Sequence, residues 1–281
     1  MADQASLRVR RLAVVVSTHG STFGAVAFVG DVSERIAELA AIGFDGVELA
    51  IRDPRLVNAD EVVEAVARHQ IQVPAIGTGQ AHIEEGLLLT SADPVIRKAT
   101  LERLLSHLPL AARIEAVLIV GMIATASCDG QSVVRAREQL LTGLRTIAAE
   151  ADAQGVRIAI EPINRYESET VRTVDDGLRL LAEIGADNVG LLLDTFHMNI
   201  EETSISDSLA RGGSHLLHVH LADSNRRHPG AGHLDFAAIV QSLDDAGYDG
   251  FLSGEFLPEP SPSESAQRYF AKMTTLAATS A

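Results

Sequence analysis

A short apolar run followed by a longer stretch of helical periodicity recurs eight times along the 281 residues, and no other feature limits the fold so tightly. The runs fall at 12–17, 46–50, 73–76, 116–120, 156–160, 189–193, 215–220 and 250–254. Val-Gly-Leu-Leu-Leu at 189–193 has no polar alternation, which suits a parallel strand covered on both faces. The first helical stretch starts at Asp31 with Glu34 three residues on, a capping-box pattern. It continues through Ile36, Leu39 and Ala40 and ends near Gly43. Further helices are predicted over 60–69, 93–113, 131–154, 173–184, 206–211, 235–246 and 263–277. Pro94 suits a first helical position, and Pro109 is expected to kink that helix or end it early. Eight alternating units without a break in composition predict an α/β chain forming a single (β/α)8 TIM barrel over 1–281, with tails at about 1–10 and 278–281. An open doubly wound sheet is the alternative, but no Gly-rich dinucleotide fingerprint follows the first run. The segment Gly77-Thr78-Gly79-Gln80 is only a weak echo of one.

Charge narrows the partners. With 23 basic and 38 acidic residues the net charge is −15, which repels nucleic-acid phosphates and anionic headgroups, so neither nucleic acid nor a membrane is expected. The lone cysteine, Cys128, cannot form an intrachain disulfide, as expected of a reducing compartment. The apolar run at 12–17 is too short for a signal core or for the roughly 18 apolar residues of a membrane span. A soluble cytoplasmic protein is expected.

In a barrel the chemistry sits where the strands end. Four successive runs end in a potential metal ligand: Glu161, Asp194, His220 and Glu255. One carboxylate in such a place has an ordinary explanation, since it complements the positive end of the following helix. Three converging on one mouth repel each other unless a cation lies between them, and a neutral imidazole can add a fourth ligand. An oxygen-rich set with one nitrogen suits one divalent ion, Mn²⁺ foremost, then Co²⁺ or Mg²⁺, with Zn²⁺ behind. Moving a proton on a carbon beside a ketone needs a Lewis acid at the carbonyl oxygen. Chelation by that oxygen and the neighbouring hydroxyl stabilises an enediolate. Carboxylates on opposite faces of that carbon invert it, whereas one working alone gives isomerisation. Glu161 and Glu255, on strands separated by two others, are assigned as the acid/base pair.

The supporting residues have rival readings. His197, three residues past Asp194, reaches a substrate oxygen or steadies its loop. Arg226 pins a substrate hydroxyl or pairs with the carboxylates, while Arg227 reads as a solvated neighbour. Glu167 orients a ligand or touches substrate. His218 lies on the same side of its strand as His220, one layer deeper, and reads as a core histidine. Glu48 reaches the pocket or serves a core network, and the loop around His82 is a candidate lid.

The C-terminal half carries EPINRYE at 161–167, LDTFHMNIEE at 193–202, HVHLADSNRRHPG at 218–230 and SGEF at 253–256. These segments resemble the sugar isomerase and epimerase barrels related to xylose isomerase, specifically ketose 3-epimerases of the D-tagatose and D-psicose type. The gaps of 33, 26 and 35 residues between the four strand-end residues agree with that family. The resemblance implies a single divalent metal on Glu161, Asp194, His220 and Glu255, with Glu167, His197 and Arg226 on the substrate. It implies a metal-bound cis-enediolate, epimerisation at C3 of a small-molecule ketose, and a homodimer or homotetramer. Two features depart from the family. The chain has no tryptophan to wall the sugar, leaving Phe23, Phe196 and Phe256 as aromatic candidates. The segment FLPEPSPSE at 256–264 is acidic, which favours an unphosphorylated substrate against the counterargument of Arg226 and Arg227. The alternatives are an aldose–ketose isomerase acting on hydroxypyruvate or an inosose-like compound, a metal-dependent dehydratase, and a non-catalytic sugar-binding barrel. An abasic-site endonuclease on the same barrel needs a basic groove, which the net charge disfavours.

Overall fold

The computed structural model describes residues 10–279. Eight parallel strands close into a barrel: β1 Arg11–Ser17, β2 Gly46–Ala50, β3 Ala75–Gly77, β4 Val117–Val120, β5 Ile158–Ile160, β6 Val189–Asp194, β7 Leu216–Leu221 and β8 Phe251–Gly254. Pairing of β8 with β1, Leu252 opposite Leu12, completes the ring. A two-residue strand, Phe28–Val29, lies along β1 in the first loop. The runs are continuous in sequence because both faces are covered, with Val14, Leu49, Ile76, Leu118, Ile160 and Leu191 all buried. Helices Val32–Ile42, Ala59–His69, Pro94–Arg113, Val133–Asp152, Val174–Ile184, Ile205–Gly212, Phe236–Asp245 and Pro262–Thr279 form the outer layer. Their starts are capped as the sequence suggests: Asp31 accepts from the Glu34 N–H, and Thr173 and Asp176 form a reciprocal capping box.

Some expectations shift. The helix Pro94–Arg113 runs through Pro109 without ending; Pro109 lies on its exposed face, where water can reach the carbonyl that the missing N–H leaves unpaired. The loops hold short helices that the periodicity did not reveal, Gln80–Glu85, Met122–Thr125 and Thr195–Glu201, each too short for an amphipathic stripe. The last helix continues to Thr279, into the expected C-terminal tail, whereas residues 1–9 and 280–281 of the expected tails lie outside the described residues. Among the described residues no helix is long and apolar enough to cross a membrane.

One irregularity positions the chemistry. On the β6–β7 ladder Leu191 pairs with Leu216 but Leu192 pairs with His218, a shift of one residue that brings Asp194 opposite His220. Without the shift Asp194 would face Val219, whose side chain points to the other side of the sheet. Gly190 sits beside this shift, where a Cβ would come within 2.5 Å of the His215 carbonyl oxygen, so the backbones can approach only because no side chain intervenes.

Candidate active site

Glu161 follows β5, Asp194 ends β6, His220 lies in β7 and Glu255 follows β8. One potential ligand atom from each lies within 4.8 Å of the others. Asp194 serves two purposes with its two oxygens. Its Oδ1 caps the helix Thr195–Glu201 by accepting from the Phe196 N–H at 2.8 Å, while Oδ2 is buried and has no hydrogen-bond partner among the described residues. One oxygen thus caps the helix while the other is left unpaired beside the cluster. Glu161 fits at the end of β5 because Gly121 is bare: a Cβ there would lie 2.4 Å from Glu161 Oε2, so any side chain at 121 would displace the carboxylate.

Beneath this cluster lies Glu48, from β2. It is 1% exposed, and its carboxylate accepts from His218 Nε2 at 2.8 Å and from His220 Nε2 at 3.0 Å to each oxygen. Burial raises its pKa, but the two histidines outweigh that and hold the carboxyl well below the ordinary range. An ionised carboxylate only accepts, so both Nε2 atoms carry protons, and His220 presents Nδ1 to Glu161 and Glu255 at 3.9 and 3.7 Å. Glu48 thus belongs to the pocket floor and to a buried network at once, and His218 is the deeper histidine.

Glu167 and His197 are both ordered by Asn164, which nothing in the sequence singles out. Asn164 accepts from the Tyr166 N–H at 2.9 Å, which turns its NH₂ group toward Glu167 Oε1 at 2.9 Å and His197 Nδ1 at 2.8 Å. His197 Nδ1 is therefore an acceptor and the ring proton sits on Nε2, 3.7 Å from Glu161 and 3.8 Å from Asp194. Burial, then Arg226, lowers its pKa well below the usual value, so the ring is neutral and offers one N–H to the pocket. A lone asparagine between an isoleucine and an arginine carries no spacing signal, so its place is visible only in the fold. Arg226 bridges Glu167 at 3.1 Å and Glu255 at 3.3 Å, with its guanidinium 4.7 Å from the Phe196 ring centre and 5.3 Å from that of Phe23. Its backbone is held at φ 58° by the turn in which its N–H donates to the Asp223 carbonyl at 2.8 Å. Arg227 points outward and pairs with Glu259.

Glu48, Glu161, His197, His220, Arg226 and Glu255 line a pocket that opens to solvent. Its far wall is apolar, with Val15, Val26 and Ala50 packed around Phe23. Phe256 is not part of it. That ring is fully buried, 5.5 Å from Tyr269, because the residue after Glu255 points to the opposite side of the chain. His82 also stays outside the pocket, its Nδ1 3.0 Å from the Leu87 carbonyl oxygen; Ile83 of the same short helix lines the pocket instead.

The donor set fits a divalent cation. Burial holds Glu161 well above the ordinary carboxyl range, with Glu255 adding repulsion. Burial also raises Asp194 and lifts Glu255 to about 7. Three acids that resist ionising together, beside a buried Asp194 Oδ2 and His220 Nδ1 without partners among the described residues, are what a cation would satisfy.

The description "Xylose isomerase-like TIM barrel" matches residues 36–273. D-psicose 3-epimerase from Agrobacterium fabrum is 32% identical over 224 residues, covering 76% of this chain and 75% of the relative. The 3-dehydro-D-guloside 4-epimerase of Escherichia coli is 30% identical over 249 residues, covering 80% and 87%. A crystal structure of D-allulose 3-epimerase from Methylomonas sp. has a TM-score of 0.79 at 25% identity and covers 95% of this chain and 98% of that one. Such relatives are epimerases, enzymes of the isomerase class, and they support epimerisation of a ketose. The chain belongs to the xylose isomerase-like TIM barrel family.

Proposed function

We propose that this enzyme inverts C3 of an unphosphorylated ketose, with Glu161 and Glu255 as the acid/base pair. The observation that carries the reading is the pair itself: carboxylate oxygens of Glu161 and Glu255 lie 3.9 and 3.7 Å from the same His220 Nδ1, at the mouth of the barrel. A carboxylate can take a proton from a carbon acid and, once protonated, give one back. In this reading one of the two removes the C3 proton and the other delivers a proton to the opposite face. Glu161, Asp194, His220 and Glu255 would hold a divalent ion, Mn²⁺ by donor type. When bound, that ion supplies Lewis-acid charge for the negative charge developing on the substrate oxygens. His197 donates its Nε2 proton to a substrate oxygen, held in that tautomer by Asn164. Arg226 braces Glu255 and Glu167, and the neighbouring Phe196 ring steadies it. An unphosphorylated substrate is supported by the pairing of Arg226 and Arg227 with carboxylates.

The likeness to a 4-epimerase favours a second reading, in which the inverted carbon adjoins a ketone at another position of the sugar. The chemistry is the same and only the seat of the ketone differs. Incubation of the metal-loaded enzyme with D-fructose and D-tagatose tests the first reading. D-psicose and D-sorbose, the C3 epimers, are the expected products. Aldoses in their place would refute it.

A further inference from the structure

Gln80 lines the same pocket as Glu161, His197 and Arg226, and it is 3% exposed. It opens the short helix Gln80–Glu85 that follows β3. Ser17, at the end of β1, fixes which way its amide faces. The hydroxyl of Ser17 donates its one proton to the His19 carbonyl, so toward Gln80 it offers only lone pairs. Gln80 Nε2 therefore donates to Ser17 Oγ, at 2.7 Å, and Oε1 is the atom left over. That oxygen is buried and has no hydrogen-bond partner among the described residues. A fold that anchors one end of a buried amide and leaves the acceptor end unmatched calls for a donor arriving from outside the protein.

The surroundings narrow what that donor can be. Val15, Val26, Ala50 and Phe23 form the adjoining wall, and Thr78, the nearest residue in sequence with a hydroxyl, donates to the Ile119 carbonyl at 2.8 Å. Gln80 Oε1 is thus a single acceptor beside an apolar surface. It is a poor match for a carboxylate or phosphate, which bring no proton, and a good one for an alcohol.

We propose that Gln80 is a specificity-determining residue: its Oε1 accepts a hydrogen bond from one ketose hydroxyl, on a carbon outside the reacting pair, while the apolar wall beside it excludes others. This rests on the ketose reading of the site. A pocket built to pair with a hydroxyl discriminates strongly against the analogue that lacks it, because its own acceptor is then left bare.

The test is a comparison of D-fructose with its 1-, 4-, 5- and 6-deoxy analogues. Affinities are measured calorimetrically for the metal-loaded wild-type enzyme and Gln80→Met, which keeps length and removes the acceptor. In the wild type one analogue is expected to bind about tenfold more weakly than the parent. Gln80→Met is expected to bind D-fructose about tenfold more weakly and to lose that discrimination, with the other analogues keeping their wild-type ranking. Ser17→Ala, which unpins the amide without removing Oε1, is expected to show a smaller loss of the same discrimination. This second variant guards against a folding defect in the first. The same ranking of analogues in the wild type and Gln80→Met, or no difference between parent and analogues in the wild type, would overturn the proposal. If the wild type still converts D-fructose to D-psicose in that case, the epimerase reading stands without Gln80.

Discussion

Glu161→Gln and Glu255→Gln are each expected to lower kcat on a ketose by about 10²–10⁴-fold while the barrel stays folded. Glutamine keeps the shape and an acceptor oxygen at each position but removes a ligand charge along with the proton carrier, so turnover is compared at saturating Mn²⁺. The metal-free proteins give a second readout, of the raised carboxyl itself. Burial lifts Glu255 from its ordinary 4.5 to about 7 in the folded chain, with His220 and Arg226 pulling the other way. A carboxyl raised by folding contributes stability that is complete below its unfolded value and is lost as pH rises through the folded one. The metal-free wild type should therefore lose stability from this group between about pH 4.5 and 7. Glu255→Gln should be flatter over that window, and melting temperatures across the pH range measure the difference. A variant that turns over normally would remove the acid/base assignment.

Metal removal is expected to have the second largest effect. Chelation should abolish turnover, and resupply of Mn²⁺ should restore it. An ion that binds only the folded chain stabilises by about 2.7 kcal/mol at one hundred times its Kd. For a barrel of this size that is a rise in melting temperature of roughly 5–10 °C. Asp194→Asn separates the two duties of that side chain. An amide oxygen can still cap the Phe196 N–H, so the metal-free variant should melt near the wild type, yet the loss of one ligand charge should shrink the metal-induced rise. If Mn²⁺ raises the melting temperature of both proteins equally, Asp194 is not a ligand.

The barrel was legible because its signal is repeated. Eight apolar runs with no alternation, each followed by a helical stretch, leave few other ways to cover both faces of a strand. The strand-end acids stood out for a related reason, since an ionisable residue closing a buried run has to surface at the rim. The shift at Leu191–Leu192 leaves no trace in composition, though it decides that Asp194 faces His220. Glu48 and Asn164 were harder because their partners are distant in sequence, 170 and 172 residues away for His218 and His220 and 33 for His197. Gly121 was silent because its contribution is the absence of a Cβ against Glu161. Phe256 misled by adjacency: it follows Glu255 directly, and for that reason it points the other way, into the core beside Tyr269.

The central claim is that the proton moved is the one on C3 and that it passes through a carboxyl able to exchange with solvent. Metal-loaded enzyme incubated with D-fructose in D₂O, with the products resolved by NMR, tests this most directly. Deuterium is expected at C3 of the D-psicose formed and, as the reaction approaches equilibrium, at C3 of the recovered D-fructose. Both signals should be absent with the Glu161→Gln/Glu255→Gln double variant. Deuterium confined to C1, or D-psicose formed with no label at C3, would contradict it.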